Sequence, residues 1–165
     1  MADFSKYYPT LLNFEGGYVN NPNDKGGRTK YGITEAVWKA SGGTKDIKDI
    51  TPQDAFPIAK KKYWDVVKGD EIKSQSVAEF IMDWAFMSGT SGAGKKVQEV
   101  LGLPQDGKIG PNTIAAINRA NPKNLFDLLK LRRQKFFNDI VARNPSQKVF
   151  LKGWTNRNNM FTFHD

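Results

Sequence analysis

The stretch Asp3-Phe-Ser-Lys-Tyr-Tyr-Pro-Thr-Leu-Leu-Asn-Phe-Glu15-Gly-Gly-Tyr18 sets the terms on which the rest of the chain is read. Asp3 is a good helix cap, and Phe4, Tyr8, Leu11 and Leu12 keep the i, i+4, i+7, i+8 spacing of one helix face. Glu15 prolongs that stripe, and Gly16-Gly17 ends the helix because glycine takes the left-handed cap without penalty. Pro9 falls inside the pattern and is expected to bend the helix or force a late start. An acid therefore closes a helix and faces a polar, turn-rich stretch, residues 18–33, with room for at most a short β-hairpin.

Outward from there the punctuation stays helical. Thr34 caps a short helix that should end at Gly42-Gly43. Thr51-Pro52-Gln53-Asp54 places a cap, a proline at the first helical position and an acid in the first turn, for a helix to about Lys68. Ser76 opens a helix over Val77–Ser88 that is apolar nearly all round, the mark of a central core helix. Gly89-Thr-Ser-Gly-Ala-Gly94 reads as a second glycine-rich turn and a candidate boundary, ahead of a helix over Lys95–Leu101. A turn over 103–113 leads into Ile114–Ala120. Asn121-Pro122 starts the longest helix, to about Arg143, with Leu125, Leu128, Leu129, Phe136 and Ile140 as its stripe. A last helix runs from about Ser146 to Gly153 or beyond. The fold class is mainly α, with roughly eight helices.

Composition removes whole classes of chemistry. With 165 residues the chain fits one domain, or two small halves, 1–89 and 90–165, packed as one unit. Zero cysteines exclude disulfides, thiolate catalysis and Cys-ligated zinc. A single histidine, His164, argues against Ser-His-Asp triads and multi-His metal sites, so no metal or cofactor is expected. No run reaches the ~18–20 apolar residues of a membrane span. The opening residues lack a charged segment followed by an apolar one, so no secretory signal is expected: the protein is made in the cytoplasm and leaves by another route. The 25 Lys+Arg against 17 Asp+Glu leave +8, which favours polyanions, either nucleic acid or an anionic cell wall, or serves solubility alone. The basic runs, such as Lys60-Lys61-Lys62, are short and lie on helices as solvated faces. There is no aromatic stacking platform or recognition motif for nucleic acid.

The pair Glu15 and Asp24 carries the chemistry. Glycoside hydrolysis needs one protonated carboxyl to donate to the departing oxygen and one carboxylate to stabilise the cation, attack it or activate water. Glu15 continues an apolar stripe and sits at the negative end of a helix dipole, and both settings favour a neutral carboxyl. Asp24, in a wet glycine-rich loop, would stay ionised. A helix-terminal Glu followed by an Asn-Pro-Asn-Asp turn has the same spacing with no catalytic meaning.

Glu15-Gly-Gly-Tyr-Val-Asn20 followed by Asp24-Lys-Gly-Gly-Arg-Thr29-Lys-Tyr-Gly-Ile-Thr34 resembles the opening signature of glycoside hydrolase family 108. These are lysozyme-like N-acetylmuramidases, frequent in phages and prophages; some carry the older label of secretion activator proteins. The resemblance continues in Lys61-Lys-Tyr-Trp64, Phe80-Ile-Met-Asp83-Trp-Ala-Phe-Met-Ser-Gly89, Asp106-Gly-Lys-Ile-Gly-Pro-Asn-Thr113 and Gly153-Trp154-Thr-Asn-Arg157. It implies a lysozyme-like fold, with 1–89 the catalytic half and 90–165 a peptidoglycan-binding half. It puts the catalytic glutamate at Glu15, the downstream acid at Asp24 and the hydroxyl residue at Thr29, with Lys30 and Tyr31 as rivals for that last place. Where the family pattern has Val-Asn, this chain has Phe86-Met87.

The implied activity is hydrolysis of the β-1,4 bond from N-acetylmuramic acid to N-acetylglucosamine, by a monomer acting on glycan strands at an anionic wall after holin-like or other export. A lytic transglycosylase, which adds no water, and a wall-binding module with a decayed site are the alternatives. Tyr18 and Tyr31 flank the candidate site and suit sugar stacking or packing against the first helix. Asp83, an acid in an apolar helix, is a candidate substrate contact or half of a structural ion pair. Trp38 is the tryptophan expected to be most exposed, while Trp64, Trp84 and Trp154 read as core. His164 reads as a tail residue with no evident role.

Overall fold

A computed structural model describes residues 1–20 and 27–165. The element order is α1 (Phe4–Glu15), β1 (Tyr18–Asn20), β2 (Arg28–Lys30), β3 (Ile33–Thr34), α2 (Glu35–Ala40), α3 (Pro52–Ala59), α4 (Gln75–Ser88), α5 (Thr90–Leu101), α6 (Pro111–Arg119), α7 (Pro122–Arg143) and α8 (Lys148–Met160), joined by short 3-10 turns. The mainly α expectation holds, with eight α-helices among the described residues. Two compact units form, residues 3–65 and residues 66–165 together with 1–2.

The first unit starts as its caps dictate. Asp3 accepts the Ser5 N–H at 2.9 Å, and α1 runs from Phe4 through Pro9, so the late start does not occur. Thr51 and Asp54 close a reciprocal capping box on α3 with Pro52 at its first position. Beyond Ala59 the helix does not continue in α geometry to Lys68; residues Lys60–Trp64 form one π-helical turn. Phe4, Tyr8, Phe56 and Trp64 pack ring against ring, with Phe4 centroids 5.0 Å from Phe56 and 5.3 Å from Trp64. The Tyr8 hydroxyl donates to the Pro52 carbonyl at 2.6 Å.

Residues 18–34 hold more than a hairpin. β1, β2 and β3 form a three-stranded antiparallel sheet in that order. The third strand arises because Tyr31 and Gly32 both take positive φ, 52° and 78°, the two-residue turn that matches strand twist. Ile33 then enters a cluster with Trp38, Ile47, Ile50 and Ala55.

Trp38 is buried, against expectation, with its indole N–H donating to the Lys45 carbonyl at 2.8 Å. Gly43 makes this possible: a Cβ there would lie 2.1 Å from Trp38 Cε2, so only a glycine lets the backbone close over the ring.

In the second unit α4 is the central helix, with Ser76 to Ala85 buried without a break. Its cap is Ser74, whose hydroxyl accepts the Val77 N–H, so the helix starts two residues earlier than Ser76 suggests. Phe80 meets Phe126 and Phe161 edge to face at 5.7 and 5.5 Å. The glycine-rich stretch after it is not a loop. Gly89 alone, at φ 87°, breaks the chain, and Gly92 and Gly94 lie inside α5. Gly94 has a packing reason, since a Cβ there would meet the Gly107 carbonyl oxygen at 2.6 Å.

The turn Asp106–Thr113 is organised by one buried side chain. Gln98 Nε2 donates to Asp106 Oδ1, the Lys108 carbonyl and Thr113 Oγ1, and Gln98 Oε1 accepts the Gly107 N–H at 2.9 Å. The Lys108 N–H and the Gln98 amide hold the Asp106 carboxyl below its ordinary range.

His164 is not an idle tail residue. Its backbone N–H donates to Ser76 Oγ at 2.9 Å and its ring nitrogen lies 3.1 Å from Glu79 Oε1. Asp165 accepts from the Ser76 N–H at 2.8 Å and from the Ser74 hydroxyl. Burial pushes the Asp165 carboxyl up, but the hydrogen bonds from Ser74 and Ser76 together with the nearby His164 hold the group low. No helix among the described residues is long and apolar enough to cross a membrane.

Candidate active site

Glu15 is the last residue of α1, half-buried, and Gly16 follows it at φ 61° with its N–H on the Leu12 carbonyl at 2.7 Å. The fold thus delivers this carboxyl at a helix C-terminus two residues before the sheet begins, as the stripe and the glycines imply. The side chain also has a neighbour that the sequence does not announce. Burial, and after it the charge of Glu15, pushes the Tyr63 phenol above its ordinary value. Tyr63 belongs to the π-helical turn 60–64, a local distortion often found at functional positions. At neutral pH it is a phenol that can still donate a hydrogen bond. The signal in the sequence was Lys61-Lys-Tyr-Trp64, legible as a motif but not as a neighbour of Glu15.

The sheet places the other candidates. Its register pairs Tyr18 with Lys30 and Val19 with Thr29, so Tyr18 and Thr29 sit on opposite faces of the ribbon. Thr29 also pairs with Thr34, the residue that caps α2. Tyr18 is 42% exposed. Tyr31 is half-buried at the strained turn, packed on the Ile33–Trp38 cluster, with Lys30 Nζ 5.2 Å from its ring centre. Asp24 lies outside the described residues.

Arg28 braces this sheet. Its Nε donates to Glu35 Oε2 at 3.0 Å and its Nη1 donates to Asp46 Oδ1 at 2.9 Å. One side chain therefore fixes β2 against α2 and against the 3-10 turn at 47–49.

Asp83 is a different matter. It belongs to the second unit and has no exposed surface. Arg133 Nη1 donates to Oδ2 at 2.8 Å and Arg157 Nη2 to Oδ1 at 2.7 Å. Nothing of Asp83 is open to a ligand, so it is a structural anchor and not a substrate contact. Met87 is half-buried, with its sulfur 3.9 Å from Arg133 Nη1. Among the described residues no group of His, Asp or Glu side chains is arranged to hold a metal ion.

A helix-terminal glutamate, a small antiparallel sheet after it and a helical second half are the arrangement that the family matches tie to peptidoglycan. The match is explicit: the Glycosyl hydrolase 108 family matches residues 8–89, and the Predicted Peptidoglycan domain matches residues 93–159. The solved structure of SagA from Brucella abortus is similar at a TM-score of 0.79 and 33% identity, covering 96% of this chain and 90% of that one. No curated protein matches the chain. The chain belongs to the glycosyl hydrolase 108 family. Its family boundary, at 89–93, falls later than the division between the two compact units, at 65–66.

Proposed function

We propose that the chain is an N-acetylmuramidase that cuts the β-1,4 bond between N-acetylmuramic acid and N-acetylglucosamine, with Glu15 as the general acid. The observation that carries this reading is the position of Glu15: half-buried at the end of α1, just before the sheet, and near enough for its charge to act on Tyr63. Glu15 gives its proton to the glucosamine O4 as the bond from muramic C1 to that oxygen breaks. Water adds to C1, its proton is lost, and a free muramic reducing end remains. Asp24 would position that water or stabilise the cation. Tyr18 and Tyr31 would bind glycan around the cut, and Thr29, on the face of the sheet opposite Tyr18, would be the hydroxyl residue of the catalytic set. The place of action is the cell wall, reached from the cytoplasm by holin-like or other export, and the net charge of +8 favours that anionic surface.

The test is the mass of the products released from purified sacculi. Hydrated muropeptides support hydrolysis. Products one water lighter, with 1,6-anhydro ends, identify a lytic transglycosylase. Sacculi that bind the folded protein and stay whole identify a binding module.

A further inference from the structure

The second unit carries a cavity that the catalytic reading does not use. It has a volume of about 460 Å³ and lies between α5 and α7, lined by Lys96, Arg132, Phe136, Asp139, Ala142 and Arg143. On α7 the residues 132, 136, 139 and 143 follow i, i+4, i+7, i+11, one continuous face of a helix. That face is not a hydrophobic stripe. It is a row of charges set on one aromatic ring, Phe136, which is anchored beneath by Trp84 at 5.8 Å.

The charges do not balance. The carboxylates of Glu99 and Asp139 are taken by Arg132 at 2.5 Å and Lys135 at 2.8 Å. Both are held low, in each case first by the hydrogen bond from that cation. Two further cations, Lys96 and Arg143, have no ion pair among the described residues. Lys96 lies close enough to act on Glu99, and Arg143 on Asp139, so all four cations share one local field. Arg132 Nη1 is buried with no acceptor among the described residues. Donors left in surplus around a cavity of this size call for an anionic occupant with hydrogen-bond acceptors.

We infer that this α5–α7 cavity binds the carboxylate-bearing stem peptide of peptidoglycan, so that the second half reads the peptide while the first half cuts the sugar. The inference rests on the wall-directed reading above. It adds that recognition in this half runs through peptide carboxylates and not through the glycan. All six lining residues lie within 93–159, the stretch that matches the peptidoglycan domain. A stem peptide offers several carboxylates along a short chain and a small apolar alanine methyl, which suits cations around a phenyl floor. A single free ammonium on the peptide would find Asp139.

The experiment is titration of the whole protein, by NMR with labelled amides and by calorimetry, using four probes. These are the tetrapeptide L-Ala-γ-D-Glu-meso-diaminopimelyl-D-Ala, its carboxyl-amidated form, chitobiose and poly(glycerol phosphate). The expected result is that the tetrapeptide binds and shifts signals on α5 and α7, and that amidation weakens it about tenfold or more. The double reversal Lys96→Glu with Arg143→Glu should abolish binding. The milder Lys96→Gln with Arg143→Gln should weaken it while leaving the fold and the melting temperature in place. Equal binding of the amidated peptide, unchanged binding by both double variants, or no response to the tetrapeptide overturns the inference. So does a response to poly(glycerol phosphate) or chitobiose in the tetrapeptide's stead. Sacculus digestion is read in parallel. Tetrapeptide binding without cleavage removes the muramidase reading and keeps this site; cleavage without tetrapeptide binding does the reverse.

Discussion

Arg133 Nη1 stands 2.8 Å from Asp83 Oδ2 with neither side chain exposed, and Arg157 closes on the other oxygen at 2.7 Å. This charge cluster sits among aromatic rings, with the Arg133 guanidinium 4.3 Å from the Phe80 ring centre. Removing one partner of such a pair strands the rest in a dry interior. Asp83→Ala is therefore expected to destabilise the second unit by about 3–5 kcal/mol. Thermal or urea unfolding measures the loss. Activity of the still-folded fraction at low temperature should stay within about twofold of wild type; a selective rise in KM there would return Asp83 to the substrate.

Gly43 and Trp38 provide a second test. A Cβ at Gly43 would lie 2.1 Å from the indole, so the ring or the backbone must shift to admit it. Gly43→Ala is expected to cost about 1–3 kcal/mol through overpacking and to push Trp38 outward. The fluorescence maximum should move to the red in the folded protein. An unchanged spectrum and stability would mean that the ring is not wedged there.

Tyr8 predicts an alkaline limit. Burial, with a smaller contribution from Tyr31, pushes its phenol up to about 12 in the fold from an ordinary value of 10. Below pH 10 both folded and unfolded chains keep the proton, and the full contribution to stability is present. As pH rises toward 12 only the folded state must hold it, so stability falls across that window. Tyr8→Phe should flatten the decline above pH 10. It should also lower stability at neutral pH through loss of the bond to the Pro52 carbonyl, by about 0.5–1.5 kcal/mol.

Tyr63 is the neighbour of Glu15 that the site needs explained. If its neutral hydroxyl helps to hold the acid in place, Tyr63→Phe keeps the ring and lowers kcat about tenfold with KM little changed. The same substitution should move the alkaline limb of the pH profile of kcat/KM, the side on which activity is lost when the general acid gives up its proton. A purely structural role would change the melting temperature and leave the pH profile where it was.

Local signals were legible where the answer was local. Asp3, Thr34, Thr51 and Asn121 all cap the helices that their positions suggest, because a cap depends on no more than four consecutive residues. The central role of α4 follows from a helix apolar on every side. Contacts made across the chain were not legible. Trp38 looked exposed because Gly43, which covers it, marks only a helix end in sequence. Gly94 looked like a loop residue because the backbone it admits, at Gly107, arrives 13 positions later. The partners of Asp83 stand 50 and 74 positions away, so an ion pair was imaginable and its members were not nameable. The place of Glu15 at a helix end was readable because helix end, glycine pair and sheet follow one another in the chain. The influence of Glu15 on Tyr63 was not, since Tyr63 comes from the far end of another helix.

The most direct measurement compares wild type with Glu15→Gln on purified sacculi, reading released products by mass spectrometry. Glutamine keeps the size of the side chain and removes the transferable proton. The account predicts hydrated muropeptides from wild type and a loss of at least about 100-fold in the variant, with binding to sacculi retained. Equal cleavage by both proteins would contradict Glu15 as the acid, and intact sacculi with wild type would contradict the muramidase itself.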